Sequence, residues 1–409
     1  MMASSEMVSG DTAWILVSTA LVLLMTPGLA LFYGGMVRRK NVVSTLALCF
    51  LVMVLVILQW VIIGYTLSFG ADIAGIIGGL EWLLFTGVGQ DPGPYAATVP
   101  HIAFAIFQMM FAVITIAIIA SAFVERVRFK AFLVFVLLWA TLVYAPVAHW
   151  VWGGGFLAKL GVLDFAGGTV VHISSGIAAL AVALVIGQRS GFGEQAFEPH
   201  NLPIVATGAV LLFFGWFGFN AGSALAANGL AANAFLVTAV AASAAAFSWL
   251  ITGWYHNGRP SFLGMLSGLI AGLVAITPAA GYVDALSAMI IGFFAGIVGY
   301  FAVLYRSKSK IDESLDAFAI HGISGILGSL LIGVFANPKI NPAITGGLIS
   351  GNAYQLIAQI TAVVVVLVYV FSVTLIIAKI IDKTIGLRVS KVEEYVGLDI
   401  SQHREKAYA

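Results

Sequence analysis

Charge is scarce in this chain. Asp, Glu, Lys and Arg together make up 9% of 409 residues, and the formal net charge is +1. That balance, with no basic arm, excludes a nucleic-acid surface. Cysteine is scarcer still: Cys49 stands alone in an apolar run, so neither a disulfide framework nor a thiolate metal site is expected. Met1 to Asp11 holds no Lys or Arg. Without a basic n-region no secretory signal peptide is expected, and the first apolar run is read as a spanning helix. Neither Gly153-Gly154-Gly155 nor Gly191-Phe-Gly193 has the strand-loop-helix setting or the lysine of a phosphate loop. The one long hydrophilic segment begins near Asp382, too late for a second domain.

What fills the chain is apolar. Hydrophobic residues reach 61% and mean hydropathy is +1.05, more than a soluble domain can hide. A spanning helix needs about 20 apolar residues. Eleven runs meet that rule, roughly 12–37, 43–69, 100–123, 131–151, 165–187, 203–226, 232–255, 262–280, 285–305, 317–337 and 354–381. The expected fold is an all-α polytopic membrane protein with eleven transmembrane helices. Basic residues gather at alternate loops: Arg38, Arg39 and Lys40; Arg126, Arg128 and Lys130; Arg189; Arg259; Arg306, Lys308 and Lys310; then Lys379 onwards. The other side holds only Lys159 and Lys339, beside Asp72, Glu81, Asp91 and Asp284. By the positive-inside rule the N-terminus lies outside and the C-terminus inside.

One stretch is echoed. His172-Ile-Ser-Ser175-Gly176-Ile177 is matched by His321-Gly-Ile-Ser324-Gly325-Ile326, with Ser, Gly and Ile at the same offsets. Ten spans divide into two groups of five, and because five is odd the second group enters from the opposite face. Two inverted five-helix repeats are therefore expected, about 12–190 and 200–337, plus an eleventh helix at about 354–381. Pathways through inverted repeats run along the repeat interface near the midplane. Residues 1–386 form the membrane domain on this reading, and 387–409 a cytoplasmic tail. Most of the 45 glycines are explained by close packing of helices.

Ionisable groups inside spans are few, which makes them informative. One buried histidine is adequately explained as a core ring bonded to a carbonyl. Two at matching places point to a shared site. Each neutral ring carries one donor and one acceptor nitrogen, so adjacent rings can share a proton and contact a small polar solute. Asp164, ahead of His172, can cap its helix or draw cations, and both roles stay open here. Asp316 stands five residues before His321. Aromatic residues cluster at the outer helix ends: Phe107, Phe111, Trp152, Trp216, Phe217 and Phe219. An interfacial belt accounts for Trp14, Trp60 and Trp82. Phe219-Asn220-Ala-Gly-Ser223 suits a lined pore better, and an aromatic face binds a desolvated cation by about 2 kcal/mol.

With these stretches in view, the chain resembles the ammonium transporters of the Amt/Mep/Rh family along nearly its full length. The matching motifs are PGLALFYGGMVRRKN (27–41), VERVRF (124–129), HWVWGGG (149–155), DFAGGTVVHISSGIAAL (164–180), FEPHNLP (197–203), GWFGFNAGSA (215–224), GLVAITPAAGY (272–282), DAFAIHGISGILG (316–328) and GLRVS…EEYVGLD (386–399). The resemblance implies an outer ammonium site at Trp152 and Ser223, assisted by Phe107 and supported by Asp164. It implies a gate of stacked Phe111 and Phe219, and paired pore histidines His172 and His321. It also implies a homotrimer in the plasma membrane, with a cytoplasmic face docked by PII-type nitrogen-regulatory proteins. No cofactor and no enzymatic activity are implied. Arg404 stands where the family's tail has glycine.

Moving an intact ammonium ion through an apolar pore places a charge at the midplane, a penalty from about 3 to well above 10 kcal/mol for charged side chains. Neutral ammonia avoids most of it. Capture of ammonium, its deprotonation near the gate and passage of ammonia, with or without the proton, is the expected activity. Two rivals stay open at this point: a transporter-like sensor acting through its tail, and a membrane haem protein with His172 and His321 as axial ligands.

Overall fold

The computed structural model describes residues 6–408. The stretch 1–5, part of the N-terminal reading above, and residue 409 at the end of the tail lie outside the described residues. Within lipid every backbone N–H and C=O must be satisfied inside its own segment, so apolar runs of this length become helices. They do: α1 (Ser9–Met36), α2 (Arg39–Phe69), α3 (His101–Ala122), α4 (Phe129–Lys159), α5 (Gly168–Ile186), α6 (Leu202–Gly222), α7 (Gly229–Asn257), α8 (Phe262–Ile276), α9 (Ala285–Lys308), α10 (Phe318–Phe335) and α11 (Ala353–Thr384). Ten of these are long and apolar enough to cross a membrane. The chain is a multi-pass membrane protein.

Ten spans and one shorter apolar helix make up the eleven helices expected, and the eighth ends earlier than read. It was read as 262–280, but α8 has 15 residues, about 22 Å at the helical rise and short of a ~30 Å hydrocarbon core. Pro278 follows its last turn, and proline has no backbone N–H with which to carry the helical ladder on. The turn that follows is part of the interior: Phe165 donates its backbone N–H to the Pro278 carbonyl at 3.0 Å.

The centre is made by α3 and α5, each with 83% of its most apolar window buried, against 33% for α2 and α11. Lipid-facing helices therefore surround a protein-facing pair. Trp60 belongs to the inside as well. Read above as an interfacial anchor, it is 1% exposed, donates its indole N–H to the Ala105 carbonyl at 3.0 Å and packs against Tyr65, Phe69 and Tyr144. Between α2 and α3 the chain makes two small hairpins, β1 (Asp72–Ile73) with β2 (Ile77–Gly78) and β3 (Pro92–Gly93) with β4 (Ala96–Pro100). They mark one face of the molecule, and the tail marks the other.

Three of the basic residues that orient the chain are not free loop charges. On the tail side, Arg126 reaches Asp312 at 2.7 Å, Arg189 reaches Asp312 at 2.8 Å and Glu125 at 3.0 Å, and Arg38 reaches Glu125 at 3.0 Å. Asn41 also donates to Glu125 at 3.1 Å. This clamp joins the loops that follow α1, α3, α5 and α9. Burial alone would raise the Glu125 carboxyl, but the guanidinium groups of Arg189 and Arg38 hold it below its ordinary value. Asp312 is likewise held low, by Arg189 and Arg126 against the effect of burial.

The tail folds onto this face. Its short helix α12 (Lys391–Val396) starts with a capping box between Ser390 and Glu393. Beyond it, Leu398 donates its N–H to Asn41 at 2.8 Å, and Asp399 accepts the N–H of Ser44 at 2.8 Å, at the start of α2. Arg388 pairs with Glu394 at 2.7 Å. Arg404 sits at φ +58, a left-handed conformation. The tail docks with arginine at this position.

Candidate functional site

Each histidine lies on a π-helical turn, one i→i+5 turn inside its helix: Gly168–Ile173 opens α5 and Phe318–Ile323 opens α10. The α5 turn is started by Asp164. Its Oδ1 accepts from the N–H of Gly167 and Gly168 at 2.8 and 2.7 Å, and its Oδ2 from Thr169 and Val170 at 2.8 and 3.2 Å. Asp164 is thus a helix cap, one of its two open roles, and it fixes the turn that carries His172.

The two turns cross at the glycines of the echoed motif. A Cβ on Gly176 would overlap the backbone of Gly322, next to His321. A Cβ on Gly325 would lie 3.2 Å from the Gly168 carbonyl and from the His172 side chain. The glycine four positions after each histidine therefore makes room for the other histidine's turn. As a result His172 Nδ1 and His321 Nδ1 are 3.2 Å apart, both rings buried and their planes 30° apart. One nitrogen donates and the other accepts. His172 Nε2 is buried without a protein partner.

On the hairpin side of this pair lies a cavity of about 250 Å³, lined by Phe111, Trp152, Asp164, Ser223, Gln108 and Tyr282 among others. Trp152 donates its indole N–H to the Asp164 carbonyl at 2.8 Å, which leaves the ring to face the cavity. Ser223 donates its hydroxyl to the Phe219 carbonyl at 2.8 Å, so its oxygen keeps lone pairs for a donor. Phe107 does not line the cavity but supports Phe111 edge-on, ring centres 4.9 Å apart.

Phe111 and Phe219 separate this cavity from the histidines. Their rings stack with centres 4.3 Å apart, Phe111 on the outer space and Phe219 on the inner one. The inner space beside His172 and His321 is about 10 Å³, walled by Leu29, Ile114, Leu212, Trp216 and Ile320. That suffices for about one water-sized molecule. No haem macrocycle fits there, and the ring nitrogens bond to each other instead of straddling an iron.

Trp152, Asp164, Ser223 and Phe111 line the outer cavity, Phe219, His172 and His321 the inner space, and Phe107 lies behind Phe111. Sequence reading missed Trp216 as a wall of the inner space; it stacks on His172 at 5.3 Å and donates to Thr277 at 2.8 Å. Helical spacing could have found it, since Trp216, Phe219 and Ser223 are i, i+3 and i+7 on α6. Tyr95 and Tyr282, which also line the outer cavity, had no such signal, because hairpin and turn place them.

Comparisons with known proteins bear on the family and the fold. Residues 13–408 match the profile of the Ammonium Transporter Family. The chain is 56% identical over 403 residues to the ammonium transporter Amt1 of Archaeoglobus fulgidus, covering 98% of this chain and 100% of that one. It is 51% identical over 400 residues to the ammonium transporter of Bacillus subtilis, covering 98% of each. The crystal structure of Saccharomyces cerevisiae Mep2 superposes with a TM-score of 0.89 at 36% identity, over 94% of this chain and 88% of that one. A structure described as a sensor Amt protein gives 0.89 at 29% identity, over 96% and 98%. The chain belongs to the ammonium transporter family, and it is an ammonium transporter.

Proposed function

We propose that the protein recruits ammonium in the outer aromatic cavity, removes its proton near the phenylalanine gate and passes ammonia along the histidine pair. Trp152 offers a ring face and Ser223 an acceptor oxygen to the cation, with Phe107 backing the gate ring and Asp164 holding the site's floor. Desolvation of the ion at stacked Phe111 and Phe219 favours the neutral species. The observation that carries the reading is the sequence of spaces: a roomy aromatic cavity, a closed ring pair, then a water-sized apolar gap ending at two hydrogen-bonded imidazoles. The shared Nδ1···Nδ1 hydrogen bond gives the released proton a route beside the ammonia.

The positive-inside pattern places the tail side in the cytoplasm and the hairpins outside, in a plasma membrane. On this reading residues 1–386, with inverted repeats at about 12–190 and 200–337, conduct, and 387–409 regulate. The functional unit is a homotrimer, and a PII-type regulatory protein docks on the tail side. A structural neighbour described as a sensor favours a second, signalling output.

The deciding experiment is a current recording on liposomes after an ammonium jump, run beside ammonia uptake for the parent, His172→Ala and His321→Ala proteins. A parent current lost in both variants supports the proton route. Uptake without current in the parent restricts the pore to neutral ammonia, and no flux of either kind overturns the conduction path.

A further inference from the structure

We propose that Glu313 carries the proton from the histidine pair to the tail side by way of Tyr33 and Ser121, a role that rests on the proton route proposed above. Glu313 is fully buried in the loop between α9 and α10. Its Oε2 accepts the N–H of Phe318 at 3.2 Å, at the start of the π-helical turn that carries His321. Asp164 does the same for the His172 turn, but engages both of its oxygens with backbone N–H groups. Glu313 Oε1 finds no partner among the described residues. Capping thus accounts for half of this carboxyl, and a buried oxygen left over calls for another role.

Two hydroxyls connect it to the inner space. Tyr33 lines that space together with His172 and His321, and its hydroxyl donates to the Ile118 carbonyl at 3.1 Å, which leaves lone pairs on the phenol oxygen. Ser121, in the last turn of α3, is a hydrogen-bonding neighbour of both the Tyr33 hydroxyl and the Glu313 carboxyl. Its Oγ is fully buried and, like Glu313 Oε1, has no completed bond among the described residues. A hydroxyl that can turn between two oxygens can accept a proton from one and donate to the other. Beyond Glu313 lies Asp316, paired with Arg306 at 2.6 Å. Asp316 borders a cavity of about 280 Å³ on the tail side, lined also by Asn257, Ser261 and Ser307.

Burial, and after it the Asp316 carboxylate, raise the Glu313 carboxyl above its ordinary value, against Arg306, the Phe318 N–H and the Ser121 hydroxyl, which lower it. The protonated form is thereby favoured, and a neutral acid has an O–H to give and an oxygen to accept with. Glu313 gives its proton towards Asp316 and the tail-side cavity, and takes the O–H proton of Ser121. Ser121 takes that of Tyr33, and the Tyr33 oxygen takes one from the histidines through the water-sized guest of the inner space. At each oxygen one O–H bond forms as another breaks, so one proton moves and every group is restored once the hydroxyls turn back.

The test records ammonium-evoked current and ammonia uptake on liposomes for the parent, Glu313→Gln, Glu313→Asp and Ser121→Ala, with unfolding temperature as the check on folding. Glutamine keeps the shape and the acceptor for Phe318 but carries no proton. Current reduced roughly tenfold or more in Glu313→Gln is expected, with uptake and unfolding temperature close to the parent's and part of the current restored in Glu313→Asp. Ser121→Ala should lower current in the same selective way. Current that is unchanged in Glu313→Gln, or lost in step with uptake, overturns the relay and leaves the histidine route standing. No current in the parent removes the histidine route itself, and the relay with it. Infrared spectra of the parent and Glu313→Asp need no glutamine variant: a protonated-carboxyl C=O band that shifts between the two is expected, and no band dependent on this residue overturns the relay.

Discussion

Both carboxylate oxygens of Asp164 are occupied by backbone N–H groups, two on each. Removing them leaves four buried donors, each costing roughly 1–3 kcal/mol when unsatisfied. Asp164→Ala is expected to lower the unfolding temperature sharply and to abolish uptake by releasing the turn that carries His172. Asp164→Asn keeps one acceptor oxygen and should fall between. Equal thermal stability of Asp164→Ala and parent would refute the capping role. Arg404 is the opposite case, a side chain in a conformation that glycine adopts freely. Arg404→Gly is expected to stabilise the tail turn by about 1 kcal/mol, read as slower hydrogen exchange at 398–403. Faster exchange would show that the arginine holds the turn by contacts. The substitution was legible in the sequence; its strain was not, because φ depends on where the tail lands.

The crossing of α5 and α10 sets the distance between the histidines. Their recurring glycines were visible as a pattern, but the reason they recur is the reciprocal fit of each against the other's turn. Gly176→Ala would force a Cβ into the Gly322 backbone, an overpacking of typically 1–3 kcal/mol. It is expected to separate the two Nδ1 atoms, lower thermal stability and reduce uptake. Gly325→Ala, whose neighbours lie at 3.2 Å, should be milder. Reversed severity in paired uptake and thermal-shift measurements would contradict this crossing geometry. α8 teaches a related lesson: hydropathy counted the residues after Ile276 into a span, whereas Pro278 turns them into part of the core beside Phe165.

The assembled helices are tied on the tail side by one buried charge network. Asp312→Asn leaves Arg126 and Arg189 without a charged partner on that side chain, and breaking a buried pair this way is strongly destabilising, roughly 3–5 kcal/mol. A lowered unfolding temperature with loosened tail protection is expected; an unchanged one would demote the clamp. Glu125 and Asp312 have folded values depressed below their ordinary ones. Their contribution is therefore complete above the ordinary carboxylate range and is lost as pH falls through the lower folded values. Unfolding temperature should hold level toward mildly acidic pH and then drop, with a smaller drop in Asp312→Asn. Spans and helical class could be read from the chain alone, because lipid obliges each segment to satisfy its own backbone and so makes the signal local. The clamp, the capped turn, the water-sized gap and the bond between histidines 149 positions apart needed the folded protein. Each is a distance between segments, and no local pattern encodes how far two helices stand apart.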